Sequence, residues 1–406
     1  ESHALTGNVV VQDADLTNLC ALLNQKNDFV QGTMNATAIV GGTAENPYLD
    51  VEGTMAQGTI AGYDVHGVEI AAKLEDRVLH IDTCKGQQGS GTFELTGTTA
   101  LDGTLGLKLT ARDIALGMFT KAAGLKADVL GTADIDATLS GSISSPEGQI
   151  ALTAKNGGIQ GSTFDTLSGE AKLFHGIVDV KNLVVQKTVG TQKNAQTYQA
   201  SAKGIVPLHA LVAGGDEELA DFEQIHLEVS LDHADLSLLP MLSDQVEWAV
   251  GETRGNVLIT GTAAHPLFSG KLSLPDGAVK LKLIQTPIES LHGVLTLQGN
   301  EIKLEELSGK MGKGTFTGSG HLALSGLTPE TYAADLTADG LEIASVAYKG
   351  PITGAFHVEN SEIADPAGNI YYRPKLSGHL DFDNCEVSIP MIPEGDGVLP
   401  DVLLDV

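Results

Sequence analysis

The stretch from residue 271 to residue 304, KLSLPDGAVKLKLIQTPIESLHGVLTLQGNEIKL, decides the fold because most of its aliphatic residues recur at every second position. The alternating residues are Leu272, Leu274, Val279, Leu281, Leu283, Leu295, Leu297, Ile302 and Leu304. The residues between them are mostly Lys, Ser or Thr. A period of two places every second side chain on the same face of a β-strand. Each strand therefore has one apolar and one polar face, which is typical of antiparallel sheets.

The same alternation recurs along the chain, and glycines interrupt it about every five to ten residues. Further alternating sets are Val68, Ile70 and Leu74; Leu79 and Ile81; Leu105, Leu107 and Leu109; and Leu227, Val229 and Leu231. The chain contains 48 Gly, and glycine readily adopts the positive φ angles of tight turns and bulges. At about ten residues per strand and turn, we expect roughly 25 to 30 strands. The sequence therefore predicts a mainly β protein with a long meandering sheet.

One composite pattern occurs three times: an Asp with an aliphatic neighbour, a short helical stretch, Gly, nine residues, Gly, four residues and Pro. Its copies are Asp15-Leu16 with Gly32, Gly42 and Pro47; Asp113-Ile114 with Gly131, Gly141 and Pro146; and Asp235-Leu236 with Gly251, Gly261 and Pro266. A second marker, Gly86, Gly89 and Gly91-Thr92-Phe93, matches Gly309, Gly312 and Gly314-Thr315-Phe316. Long repeats of this kind indicate an array of similar units. We expect units at residues 1–112, 113–234 and 235–338, and a partial fourth unit at 339–406 that starts near Asp339.

Three segments, 16–24, 114–125 and 236–250, depart from the period of two. Their apolar residues are spaced at i, i+3 and i+4, and an Asp stands at the expected N-cap of each. These features predict one short amphipathic helix per unit. We expect each helix to cover one end of the sheet segment that follows it.

Composition excludes several classes of protein. The 406 residues include 24 Lys plus Arg against 52 Asp plus Glu, a formal charge of −28. Phosphates would be repelled, so no nucleic-acid partner is expected. A hydrophobic content of 42% is too high for a disordered chain. No apolar run approaches the ~20 residues of a membrane-spanning helix, and no basic segment followed by an apolar core marks a signal peptide at the start.

No constellation of residues points to catalysis. The twelve His are scattered, mostly at positions expected on the polar face. The segment from Gly86 to Gly91 lacks the Lys and Ser/Thr of a phosphate-binding loop. The three cysteines, Cys20, Cys84 and Cys385, are too few and too far apart for a disulfide framework or a zinc cluster, so we expect small buried residues. We therefore predict no enzyme activity, no metal and no cofactor.

The third unit resembles a known family. The segments that show the resemblance are GTAAHPLFSG at 261–270, LSLPDG at 272–277, Leu307-Ser-Gly309 and Gly312-Lys-Gly314. They are similar to segments of the TamB and AsmA-like proteins of diderm bacteria, which belong to the bridge-like lipid transfer superfamily. The likeness is best over residues 235–345. Because each motif is glycine-rich and degenerate, its specificity comes from the order of the motifs.

This resemblance implies a long sheet curled into a taco-shaped trough that carries phospholipid from the inner to the outer membrane through the periplasm. It also implies an N-terminal inner-membrane anchor and an outer-membrane TamA/BamA-like barrel as partner. The sequence has neither that anchor nor a recognisable C-terminal end domain, so we expect an internal fragment that contacts the barrel through parts outside this chain.

The alternating residues are the candidate lipid site. The predicted groove residues are Val68, Ile70, Leu74, Leu79, Ile81, Leu107, Leu109, Leu152, Leu227, Val229, Leu272, Leu274, Val279, Leu281, Leu283, Leu295, Leu297, Ile302, Leu304, Phe316, Leu322 and Leu324. Acyl chains have no donors or acceptors, so a lining without polar groups suits them. At ~4.8 Å per strand, 25 to 30 strands would extend over roughly 120 to 140 Å. Aromatic residues are only 4% of the chain, which favours an open trough over a packed sandwich.

Two other functions remain open at this point. The first is a surface adhesin or passenger domain built as a parallel β-helix, a fold that is also acidic, glycine-rich and poor in aromatic residues. Its coils repeat about every 20 residues, whereas the pattern here is far longer. The second is an outer-membrane protein assembly factor that conducts no lipid.

Overall fold

The structure, a computed structural model, describes residues 5–18, 29–43, 45–125, 129–159, 162–189, 195–212, 223–236, 246–326, 328–345, 348–364, 370–382 and 384–387. These residues form one antiparallel sheet of 22 strands that does not close on itself. Its strands are β1 (Leu5–Asp15), β2 (Val30–Gly42), β3 (Pro47–Ile60), β4 (Tyr63–Glu75), β5 (Val78–Gln88), β6 (Gly91–Ala100), β7 (Thr104–Ala115), β8 (Val129–Ser142), β9 (Ser145–Ile159), β10 (Ser162–Phe174), β11 (Ile177–Val189), β12 (Gln196–Pro207), β13 (His226–Asp235), β14 (Val246–Gly261), β15 (Pro266–Leu281), β16 (Ile288–Gly299), β17 (Glu301–Met311), β18 (Gly314–Ser325), β19 (Thr328–Ala344), β20 (Tyr348–Ala364), β21 (Ile370–Phe382) and β22 (Glu386–Val387). Two helices, α1 (Leu116–Ala122) and α2 (Leu208–Leu211), follow β7 and β12.

From β1 to β21 each strand pairs with the next one in the chain, and the short β22 pairs with the start of β20. This meander confirms the predicted antiparallel sheet and excludes the parallel β-helix. The strands from β1 to β21 are 10 to 17 residues long, so the described residues form fewer strands than the 25 to 30 expected for the whole chain. At ~4.8 Å per strand the sheet extends for about 100 Å along its hydrogen-bonding direction.

The repeated Gly and Pro residues occupy one structural position. Gly42 lies opposite Pro47 at the β2–β3 hairpin, and the equivalent pairs at β8–β9 and β14–β15 are Gly141 with Pro146 and Gly261 with Pro266. The three glycines have φ of 84°, 81° and 81°, in the left-handed region that favours glycine. The sheet continues without interruption through residues 113, 235 and 339, so the division into units stays a prediction.

A β-bulge lies at or within two residues of three of the repeated Asp positions, Asp15, Asp113 and Asp339. The bulged residues are Asp13, Asp113 and Gly340, with φ of 48°, 53° and 60°. Their N–H groups donate to Asn35 Oδ1, Asp134 Oδ1 and Thr353 Oγ1 at 2.8, 2.9 and 2.9 Å. The bulge takes this backbone N–H out of the hydrogen-bonding ladder, and a side-chain oxygen of the neighbouring strand accepts its hydrogen bond instead.

The predicted helices are confirmed in part. Helix α1 covers most of the predicted segment 114–125, although Ile114 itself belongs to β7. Residues 16–18 are helical, and the rest of that predicted segment lies outside the described residues. The prediction of a helix at 236–250 was wrong for residues 246–250, because β14 begins at Val246. A register shift between Val246 and Trp248 makes the buried residues Val246 and Ala249 three apart, a spacing that mimics a helix.

The strand ends form two rims, which we name by the helices beside them. The α1 rim contains Ala115 and Val129, and the α2 rim contains Ser142 and Pro207. Most buried apolar residues lie in the halves of the strands nearer the α1 rim; examples are Val65, Phe93, Ile114, Ile135, Phe164, Ala249, Met311 and Leu341. Ile114 is the only large side chain below 2% exposure among the described residues. The sheet is therefore packed along one rim and only half-buried towards the other.

Candidate functional site: the apolar face of the sheet

The strand register joins the alternating apolar residues into rows that run across the sheet. Row A runs from β1 to β16 and contains Val11, Ala36, Gly53, Ile70, Cys84, Leu95, Leu109, Ala137, Ile150, Ala171, Val180, Gly204, Leu227, Ile259, Phe268 and Gly299. Row B runs from β1 to β12 and contains Val9, Ala38, Val51, Ala72, Ile81, Gly97, Leu107, Leu139, Gly148, Leu173, Val178 and Val206. Residues directly opposite each other in a ladder share a face, so each row is a line of contacts on one surface.

Two further rows extend the same face to β21. Row C runs from β5 to β19 and contains Gly86, Phe93, Ala111, Ile135, Leu152, Gly169, Leu183, Ala202, Val229, Val257, Gly270, Leu297, Ile302, Leu322 and Tyr332. Row D runs from β7 to β21 and contains Ile114, Ala133, Ala154, Leu167, Val185, Ala200, Leu231, Gly255, Leu272, Leu295, Leu304, Gly320, Ala334, Val358 and Leu376. No row contains a charged or amide side chain.

Most predicted groove residues lie in these rows or two positions from a row member in the same strand. Row members are Ile70, Leu109, Leu227, Ile81, Leu107, Leu152, Val229, Leu297, Ile302, Leu322, Leu272, Leu295 and Leu304. Val68, Leu74, Leu79, Leu274 and Leu324 stand two residues from a row member. The rows themselves were not visible from the sequence, because they depend on the register of every ladder.

The remaining predicted residues lie outside the four rows. Val279 and Leu281 pack with Val246 in a small core at the α1 rim. Phe316 is buried opposite Gly309 in another core at that rim. Leu283 lies beyond the end of β15 and is 74% exposed, so it belongs to none of the rows.

The opposite face is polar and carries ion pairs between neighbouring strands. Lys85 lies 2.9 Å from Glu69, and Lys203 lies 3.0 Å from Glu228. The hydroxyl of Thr296 and the ammonium group of Lys271 bind the carboxylate of Glu305 and lower its pKa. Shallow concavities on this face, one of about 600 Å³, are lined by polar residues such as Ser201, Lys203 and Glu228 among others. Such exposed pairs stabilise a sheet weakly, and their charged groups keep this face hydrated.

The sheet must curl around its apolar face. Leu125, which follows α1, forms an antiparallel bridge with Val212, which follows α2. In a flat sheet, Val129 on the α1 rim and Pro207 on the α2 rim would be about 45 Å apart, from a strand length of about 40 Å and four strand spacings of ~4.8 Å. The chain from Val129 back to Leu125, the bridge to Val212, and the chain back through α2 to Pro207 can together span at most about 30 Å. The rims therefore approach each other here.

The direction of the curl follows from the packing of α1. Leu116 and Met118 of this helix are buried against apolar-face residues such as Val65 and Ile135. The Lys121 ammonium lies 5.1 Å from the centre of the Tyr63 ring. The helix thus covers the apolar face at the α1 rim, and that face lies on the inside of the curl.

The chain shows limited similarity to known proteins. No protein-family model matches it, and no solved structure matches it. A segment of 182 residues, 45% of the chain, is 19% identical to Protein TIC236, chloroplastic, from Arabidopsis thaliana, and covers 8% of that protein. The sheet and this similarity are consistent with a TamB-like protein. The matched segment thus spans less than a tenth of the length of this relative.

The described residues contain no other assembled site. They bring together no group of three or more His, Cys, Asp or Glu with the geometry of a metal site. Nor does any helix among them combine the length and hydrophobicity needed to traverse a bilayer. Cys84 and Cys385 are free thiols that are half-buried rather than fully buried as expected, and Cys20 lies outside the described residues. Burial raises the pKa of the Cys84 thiol, which lies in row A.

Proposed function

We propose that the apolar face conducts the acyl chains of phospholipids between the inner and outer membranes of a bacterial envelope and so supports outer-membrane biogenesis. In this proposal the protein works in the periplasm, performs no chemical reaction, and reaches an outer-membrane TamA/BamA-like barrel through parts outside this chain. An inner-membrane anchor preceding this segment belongs to the same proposal.

The single observation that carries the proposal is that rows A to D, which overlap along the sheet, together continue one apolar face from β1 to β21. No second sheet is paired or stacked on this face among the described residues, and its members towards the α2 rim remain half-buried. A packed sandwich would bury these side chains against a partner layer. The part of this apolar surface towards the α2 rim, which the protein does not bury itself, suits a ligand without polar groups.

Energetics explain why such a surface would be useful. Exposing acyl chains to water costs about 0.8 kcal/mol per methylene. A two-chain phospholipid has on the order of thirty methylenes, so desorption into water is opposed by tens of kcal/mol. A lining that replaces water along the whole path removes most of that barrier. The polar headgroup would remain outside, in water.

Site-specific photocrosslinking tests the proposal. A benzophenone amino acid at Leu304 in row D would face the acyl chains, whereas one at Lys303 would point to the opposite face because the two residues are adjacent in β17. After irradiation of cells and purification, mass spectrometry should find phospholipid attached at position 304 and not at 303. Equal labelling at both positions, or none at either, would contradict the assignment of the apolar face.

A further inference from the structure

The contact between the two rims divides the trough. We define the clasp as the segments 116–125 and 208–212, which start at opposite rims and meet at Leu125 and Val212. A Cβ atom placed on Gly124 would lie 3.7 Å from Cγ1 of Val212, so the side chain of Val212 lies beside Gly124. The face between β8 and β12 is thereby bounded by the sheet on one side and by the clasp on the other.

The surface under the clasp offers nothing to a polar group. The row members on β10 and β11 are Leu167, Gly169, Ala171, Leu173, Val178, Val180, Leu183 and Val185. A charged phosphate without hydrogen-bond partners is strongly disfavoured in such surroundings. Acyl chains suit the part of this surface that α1 leaves uncovered, and a headgroup does not.

The clasp is weaker than the sheet on either side of it. The N–H of Leu125 donates to Thr120 O and that of Val212 to Leu208 O, so both amides bond within their own segments. Among the described residues, the two segments pair only at Leu125 and Val212, whereas neighbouring strands pair over most of their length. Opening the clasp therefore disrupts much less structure than separating two strands.

We propose that the clasp is a gate across the trough: a phospholipid binds with its acyl chains on the apolar face and its headgroup outside, and it passes the β8–β12 segment only while Leu125 and Val212 are apart. This inference rests on the proposed function. It adds a defined place along the path where passage is interrupted. Acyl chains alone would slide beneath a closed clasp, and the headgroup is what requires it to open.

A disulfide across the clasp tests the gate. Cα atoms facing each other in an antiparallel bridge are about 4.5 to 5.5 Å apart, which suits a disulfide. Leu125→Cys and Val212→Cys are combined in the full-length protein after Cys20, Cys84 and Cys385 are replaced by Ser. Each single-cysteine variant, which no oxidant can lock, is the matched control.

The readout is the passage of newly made phospholipid. Benzophenone probes at Ile70 and Leu304, on either side of the clasp, capture pulse-labelled lipid under oxidising and reducing conditions. In the locked protein we expect label on one side to fall at least about tenfold, the effect of about 1.4 kcal/mol of added barrier, and to return on reduction.

The outcomes separate the two proposals. Label on both sides of a locked clasp, with the disulfide confirmed by mass spectrometry, would overturn the gate and leave lipid conduction intact. Absence of lipid at both probes in every state would overturn the proposed function and the gate with it. Failure of the two cysteines to form a disulfide would show that the rims do not meet, which also overturns the gate.

Discussion

Replacing Gly86 by Ala should destabilise the protein, because Gly86 lies directly opposite Phe93 in the β5–β6 ladder. An added Cβ would stand 2.7 Å from Cζ of the Phe93 ring and 2.9 Å from Cγ2 of Val68. Both side chains are buried in the largest core, so neither can move without disturbing others. Overpacking of this kind costs about 1 to 3 kcal/mol. The gain of about 0.5 to 1 kcal/mol that Ala usually brings over Gly within a strand offsets part of this cost.

The matched control is Gly7→Ala in β1, where nothing lies within 4 Å of the added carbon. Urea denaturation followed by far-UV circular dichroism measures both variants. We expect the free energy of unfolding to fall by about 1 to 2 kcal/mol for Gly86→Ala and to stay equal or rise for Gly7→Ala. The reasoning would be refuted if the two variants had the same stability.

A second substitution identifies the cause. Phe93→Leu removes the outer ring atoms that the added Cβ would meet. The Gly86→Ala/Phe93→Leu double variant should therefore have a free energy of unfolding about 1 kcal/mol higher than the sum of the two single effects predicts. Gly157 faces Phe164 in the same way, but its added carbon would also stand 2.6 Å from the carbonyl oxygen of Leu130. Phe164→Leu should therefore fail to rescue Gly157→Ala, since the backbone clash remains. Equal rescue at both sites would show that the Phe ring alone sets the cost.

Three further predictions concern the two faces of the sheet. Leu304→Arg should reduce lipid labelling at Ile70 or transport by the full-length protein while Lys303→Ala does not, because an Arg against hydrocarbon costs about 2 to 4 kcal/mol. Thr253→Val should raise the free energy of unfolding by on the order of 1 kcal/mol in urea denaturation, because Thr253 is 9% exposed and its hydroxyl has no hydrogen-bond partner. The imidazole of His357 donates a hydrogen bond to the carboxylate of Asp335, which raises the pKa of His357. The stabilisation that this pair gives the fold is therefore full below the unfolded pKa of about 6.5 and is lost as the pH rises through the folded pKa. His357→Gln should lower the melting temperature at about pH 5.5 and leave it unchanged at about pH 8.5.

The alternation of apolar residues was sufficient to predict the sheet and most of the apolar face. It succeeded because a residue's face depends only on its neighbours in the same strand, as for Leu295 and Leu297. The loop residue Leu283 continued the pattern past the end of its strand, and no local signal marked that end. A bulge accounts for the wrong end of the helix predicted at 236–250, since one inserted residue gave Val246 and Ala249 the spacing of a helix.

The rows and the curl required information that no short stretch of sequence contains. A row depends on every ladder register between its ends, and each bulge shifts that register. The contact of Leu125 with Val212 joins segments on opposite rims, four strands apart. Neither residue belongs to a motif that would point to the other. The sequence therefore predicts the chemistry of the face but not the closure of the trough.

The strict meander has a consequence for how such a protein changes in length. Each strand reverses the direction of the chain, so adding a single strand would exchange the two rims for everything that follows and move the later helices to the wrong side. Adding a hairpin restores the direction, and the rows continue through it. The sheet can therefore lengthen only by an even number of strands if every later helix is to stay at the same rim.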